Sequence, residues 1–154
     1  MGVTSGIYAV TLWTAGRLPA LVSFDGRGVA VSLLGRLVLE RWGQLASAFP
    51  ELAIDEFAIL PDRFRAVVHC RSPADLELGL AWFRAAVAQE ARLARLSLSG
   101  VVWESGGDVI AVESADELMT WRRRIRAGRA LGLSGSLPAG LPSLPQAAAS
   151  AAGA

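Results

Sequence analysis

From residue 63 to residue 70 the chain alternates with a period of two. Phe64, Ala66, Val68 and Cys70 fall on one side and Arg63, Arg65, Val67 and His69 on the other. A β-strand with one core face and one charged face has this pattern. Pro61-Asp62 stands just before it; proline presets φ at the first turn position and aspartate tolerates the second. Residues 57–60 and 63–70 are therefore predicted to pair as an antiparallel hairpin. Residues 7–14 are β-branched, aromatic and apolar on both sides, which suits a central strand, and Gly16 and Pro19 break it. From about residue 29 to 49 the spacing changes to three and four, through Ala30, Leu33, Leu34, Leu37, Val38, Trp42, Leu45 and Phe49, predicting an amphipathic helix that Pro50 stops.

After the hairpin, Ser72-Pro73-Ala74-Asp75 supplies a cap, a first-turn proline and an acidic residue for a second helix to about residue 93. Its buried stripe is Leu76, Leu80, Phe83, Val87 and Ala91. Residues 101–103 and 109–112 are strand-like and flank Ser105-Gly106-Gly107-Asp108, which predicts a small extra hairpin. Ser114-Ala115-Asp116-Glu117 reads as a capping box opening a third helix through about residue 131.

Strand, helix, strand, strand, helix, strand is the split βαβ order, so the expected fold class is α+β, a ferredoxin-like antiparallel sheet with helices on one face plus a C-terminal helix. In the usual strand order Arg63 and Arg65 sit on a central strand and look out of the uncovered face, with the third helix beside it. The domain spans residues 1–131. Residues 132–154, without charge and with three prolines, read as a disordered tail.

A length of 154 residues with 53% hydrophobic content suffices for one substantial core. A net charge of +1 conceals clustering, because all 15 Lys+Arg residues are arginine. The single cysteine, Cys70, leaves no partner for an internal disulfide and falls on the apolar face, so a buried, inert thiol in a reducing compartment is expected. No basic flank precedes the first apolar run, and every later run is interrupted before the roughly 18 residues a spanning helix needs. The expected location is cytoplasmic, with no membrane partner.

The hairpin carries a family resemblance. Leu60-Pro61-Asp62-Arg63-Phe64-Arg65 resembles the Met-Pro-Asn-His-x-His hairpin end of the REP-associated, insertion-sequence-200-like single-tyrosine transposases of the His-hydrophobe-His class. The likeness runs from Tyr8 to about Leu131: the opening Tyr8-Ala9-Val10-Thr11-Leu12-Trp13-Thr14 before Gly16-Arg17, then Glu40-Arg41-Trp42 before Phe49-Pro50, Val102-Trp103-Glu104, and Val109-Ile110 before Asp116-Glu117-Leu118. It departs from the family at its chemistry. Both metal-ligand histidines are replaced, by Arg63 and Arg65. Where the family carries Tyr-Ile-x-x-Asn-Pro with a nucleophilic tyrosine, this chain reads Arg124-Ile125-Arg126-Ala127-Gly128-Arg129. The segment from Glu104 to Asp108 is also shorter than the family's and lacks its aromatic residues.

The family reaction needs a nucleophilic hydroxyl and a Lewis acid. Arginine keeps its proton and repels a metal. The resemblance thus implies ancestry in DNA transposition with no catalytic residue, no bound metal and no cofactor, Arg63, Arg65 and Arg124 marking the degenerate positions. The chain's one histidine, His69, shares the face of Arg63 and Arg65, but metal sites normally need three or four ligands, so an ordinary surface side chain is expected. Tyr8, on a central strand, is expected to pack.

Two functions then stand open. In one, Arg63, Arg65, Arg122, Arg124, Arg126 and Arg129 form a basic groove for single-stranded or hairpin DNA, with Trp103 as a stacking platform. The blander reading of the third-helix arginines is a solvated helix end whose cations favour the dipole. In the other, the open sheet face is an interaction or scaffold surface that pairs with another protein or a second copy as a homodimer. No nucleophile-base pair or phosphate loop supports a different enzyme.

Overall fold

A computed structural model of the chain describes residues 6–26, 28–96 and 101–128. Strand β1, Gly6–Trp13, runs antiparallel to β5, Arg63–Cys70, which pairs in turn with β4, Leu52–Leu60. A short strand β6, Asp108–Ala111, closes the other side of β1, giving the order β4-β5-β1-β6. All pairs are antiparallel, and the order is that of the ferredoxin-like class expected from the sequence.

Helices α1, Leu33–Ala48, and α2, Pro73–Leu93, lie on one face, where Val38, Trp42, Leu45, Leu80, Phe83 and Val87 meet Val10, Leu12, Phe64, Ala66 and Val68. Trp42 is fully buried, with ring centroids 4.8 Å from Phe64 and 5.1 Å from Phe83 in edge-to-face geometry. Ser72 caps α2 by accepting from the Asp75 amide at 3.3 Å, with Pro73 in the first turn. Cys70 is buried, and burial pushes its thiol pKa up, with the Asp75 charge adding to the shift.

The first helix begins later than its periodicity suggests. Residues 29–31 belong instead to a hairpin of β2, Val22–Asp25, and β3, Gly28–Val31. Ser32, with extended backbone, then caps α1 by accepting from the Gly35 amide at 3.0 Å. Ala30 keeps helical spacing to Leu33 and Leu34, but its β-branched neighbours Val29 and Val31 are better accommodated in the pleat. Gly35 lets α1 approach the chain before it: an added Cβ would lie 2.3 Å from the Leu21 carbonyl oxygen. Gly35→Ala is expected to cost about 1–3 kcal/mol, read as a lower denaturant midpoint with an unchanged slope.

The second predicted hairpin is also corrected. Residues 101–103 do not pair with 109–112; both segments lie along β1. Trp103 bridges Thr14, Asp108 pairs with Thr11, and the residues between them loop out through Gly106 at φ +80° and Gly107 at φ +146°.

Helix α3, Ala115–Gly128, packs on the second face, so that face is only partly open. Its Ile125 is buried with Ala58, Leu60 and Val67, and Leu118 and Trp121 border the cluster. The predicted end of this helix near residue 131 and the tail 132–154 lie outside the described residues. No helix among the described residues is long and apolar enough to cross a membrane.

Candidate nucleic-acid interface

Alternation along β5 aims Arg63 and Arg65 away from α1 and α2, onto the second sheet face. Their cross-strand neighbours are Trp13 and Thr11 of β1, and Leu60 and Ala58 of β4. Arg63 donates to Asp62 Oδ1 at 2.8 Å, and its guanidinium carbon lies 4.9 Å from the Trp13 ring centroid. Arg17 approaches the same ring to 3.9 Å while its Nε donates to Glu104 Oε2 at 3.3 Å. Trp13, half-buried, thus carries two guanidiniums. The sequence signal for it was available in the alternation of residues 7–14, which puts Trp13 on the arginine face, but the strand's apolar character concealed it.

Arg65 stands apart electrostatically. Its Nε is buried without a hydrogen-bond partner. Burial lowers its pKa from the ordinary arginine value, and the charges of Arg63 and then Arg124 lower it further, against a smaller opposing effect of Asp62. Arg124 reaches this neighbourhood from α3, exposed, with its guanidinium 5.3 Å from the Trp121 ring. The three positions that the sequence resemblance aligns with two histidines and a tyrosine therefore occupy one electrostatic neighbourhood.

The other α3 arginines are engaged in docking the helix. The β4–β5 register slips between Ile54 and Phe57, so Asp55 and Glu56 form a bulge there. A bulge sets two successive residues against one on the partner strand. Arg122 donates to both Asp55 oxygens, Nε at 3.0 Å and Nη2 at 2.6 Å, and Arg126 Nη2 donates to Glu56 Oε2 at 2.8 Å. Arginines four apart on one helix face thus meet consecutive carboxylates. Arg129 lies outside the described residues. Trp103 is away from the arginines, only 8% exposed and packed toward Phe83, on the α1–α2 face where its pairing with Thr14 sends it.

His69 Nε2 lies 2.8 Å from Asp55 Oδ2, so that carboxylate is shared by His69 and Arg122. No group of three or more His, Cys, Asp or Glu that could hold a metal ion occurs among the described residues. Tyr8 is half-buried on the other side of the sheet, lining a cleft of ≈ 400 Å³ with Leu76, Leu80 and Val109.

The hydrogen bond from Arg122 holds the Asp55 carboxyl below its ordinary pKa of 3.8, burial opposing and His69 assisting. A depressed carboxylate pKa means stability that is complete above 3.8 and lost as pH falls through the lower folded value. Asp55→Asn is expected to cost about 1–3 kcal/mol at neutral pH. Thermal melts should show that difference shrinking once the pH is taken below the folded pKa; a difference independent of pH would mean that the carboxylate charge is not what holds α3.

A ferredoxin-like sheet with a docked C-terminal helix and guanidiniums across its second face defines an α+β domain of the split βαβ class. Two solved structures share the fold. One is a REP-associated tyrosine transposase bound to a REP hairpin, with TM-score 0.60 and 10% identity over 81% of this chain and 67% of that one. The other is a candidate transposase from Deinococcus radiodurans, with TM-score 0.58 and 14% identity over 82% of this chain and 92% of that one. At such identities the property shared is the fold. No family model and no curated protein matches the sequence.

Proposed function

We propose that this chain is a transposase-derived domain that has lost strand cleavage and retains binding of single-stranded or hairpin DNA. The observation that carries the reading is the group of Arg63, Arg65 and Arg124, with Arg65 desolvated and in no ion pair among the described residues, beside the indoles of Trp13 and Trp121. Guanidinium forks match phosphate oxygens, and exposed indole surface accepts unpaired bases. The solved relative that carries a REP hairpin supports DNA as the partner class. Arginine at the aligned histidine and tyrosine positions removes both the metal ligands and the hydroxyl that cleavage requires.

Binding is nonspecific in its main energy term, so its affinity falls steeply with salt. Fluorescence titration of hairpin and unstructured oligonucleotides across a salt series tests it. Affinity that is absent at low salt would contradict the proposal. The second reading, a protein-interaction surface, draws on exposed Val109 and Ile110 of the edge strand β6. An edge strand offers unpaired backbone groups to another chain. Sizing at low salt with and without oligonucleotide separates the two: association without DNA favours the second.

A further inference from the structure

On the second sheet face around Arg65, guanidiniums outnumber carboxylates. Arg17 is matched by Glu104 and Arg63 by Asp62. Among the described residues Arg65 has no hydrogen bond or ion pair, and Arg124 has only the Trp121 ring. Asp108, on β6, lies beyond Thr11 from Arg65 and, like Arg124, is exposed to water. Arg63 and Arg65 are two residues apart on one face of one strand. Arg124 comes from a helix fixed over the neighbouring strand by Ile125 and by the Arg122–Asp55 pair. Three guanidiniums against Asp62 and the more distant Asp108 leave an excess of positive charge, and of donors, around a partly desolvated centre.

An internal phosphodiester brings a single negative charge and two free oxygens. A terminal phosphomonoester brings about −1.5 to −2 and three strong acceptor oxygens at neutral pH. We propose that Arg65, flanked by Arg63 and Arg124, receives the terminal phosphate of a DNA strand, so that the domain recognises DNA ends in preference to continuous backbone. The inference rests on the DNA-binding reading above and narrows its ligand. Thr11, 5% exposed and directly across the ladder from Arg65, and Trp13 beside Arg63 form the wall against which the last nucleotide packs.

The test compares one single-stranded oligonucleotide in three forms, with a 5′-phosphate, with a 3′-phosphate, or with hydroxyls at both ends, by fluorescence anisotropy at low salt. At least one phosphorylated form should bind roughly tenfold more tightly than the hydroxyl form. That preference should vanish in Arg65→Ala and in Arg124→Ala. Because Arg124 is exposed, its replacement leaves the fold intact even where Arg65→Ala proves unstable. Equal affinity for all three forms would overturn the end-recognition inference and leave the DNA reading standing. No binding of any form would overturn both.

Discussion

Replacing Arg63, Arg65 and Arg124 together by alanine is expected to lower affinity for single-stranded DNA on the order of 10- to 100-fold at low salt and to flatten the dependence of log affinity on log salt by about 2 units. The three side chains act through phosphate, so the loss should be nearly the same for every sequence tested. Their replacement leaves the core untouched: Ile125, Ala58, Leu60 and Val67 still bury α3, and Asp55 and Glu56 still hold Arg122 and Arg126. An Arg122→Ala variant serves as the contrast. Arg122 is committed to Asp55, so its loss should weaken α3 docking more than DNA affinity. Unchanged affinity in the triple variant would remove the interface.

The largest expected effect on stability belongs to Trp42. Its indole is fully buried between Phe64 of the sheet and Phe83 of α2, so Trp42→Ala would open a cavity where α1, α2 and β5 meet. The cost should be about 3–5 kcal/mol, a large share of the ~5–15 kcal/mol available to a domain of this kind. Melting should fall by roughly 10–20 °C. Trp42→Phe is the informative partner. The indole Nε1 is buried without an acceptor, so phenylalanine keeps much of the ring packing while discarding an unsatisfied donor. Its cost should be less than half that of alanine, on the order of 1–2 kcal/mol. Equal losses in the two variants would mean that ring packing is not what Trp42 contributes.

Where a residue pattern was governed by one face at a time, the sequence was easy to read. The alternation at Phe64, Ala66, Val68 and Cys70 placed β5 and its arginines. Ser72-Pro73 fixed the start of α2, and the strand and helix order gave the ferredoxin-like class. The errors arose where two periods overlap. Ala30 fits both the helical spacing to Leu33 and a two-stranded hairpin, and the Ser32 cap decides between them. Around Gly106-Gly107 the two flanking apolar runs resemble a hairpin. Long-range pairing of both with β1 wins, because β1 already presents an unpaired edge.

The interface was legible to the same degree and for similar reasons. Strand parity put Arg63 and Arg65 together, but which α3 arginines would remain available depended on the Asp55-Glu56 bulge, a one-residue slip that has no local signature beyond two adjacent carboxylates in an apolar strand. The strand-like neighbours of Trp103, expected as a stacking platform, gave no parity relative to β1; the Thr14 bridge supplies that parity and sends the indole inward. Trp13 was passed over because a central strand was expected to be covered on both sides, whereas α3 covers the second face only over β4 and β5.

We propose that guanidiniums stand in place of the cutting chemistry of a scaffold that still holds DNA. This is tested most directly by incubating the purified chain with an end-labelled REP-type hairpin oligonucleotide and a divalent cation, then running the mixture on native and denaturing gels side by side. The account predicts a shifted complex on the native gel and an intact, protein-free oligonucleotide on the denaturing one. A shortened strand, or label travelling with the protein after denaturation, would contradict it.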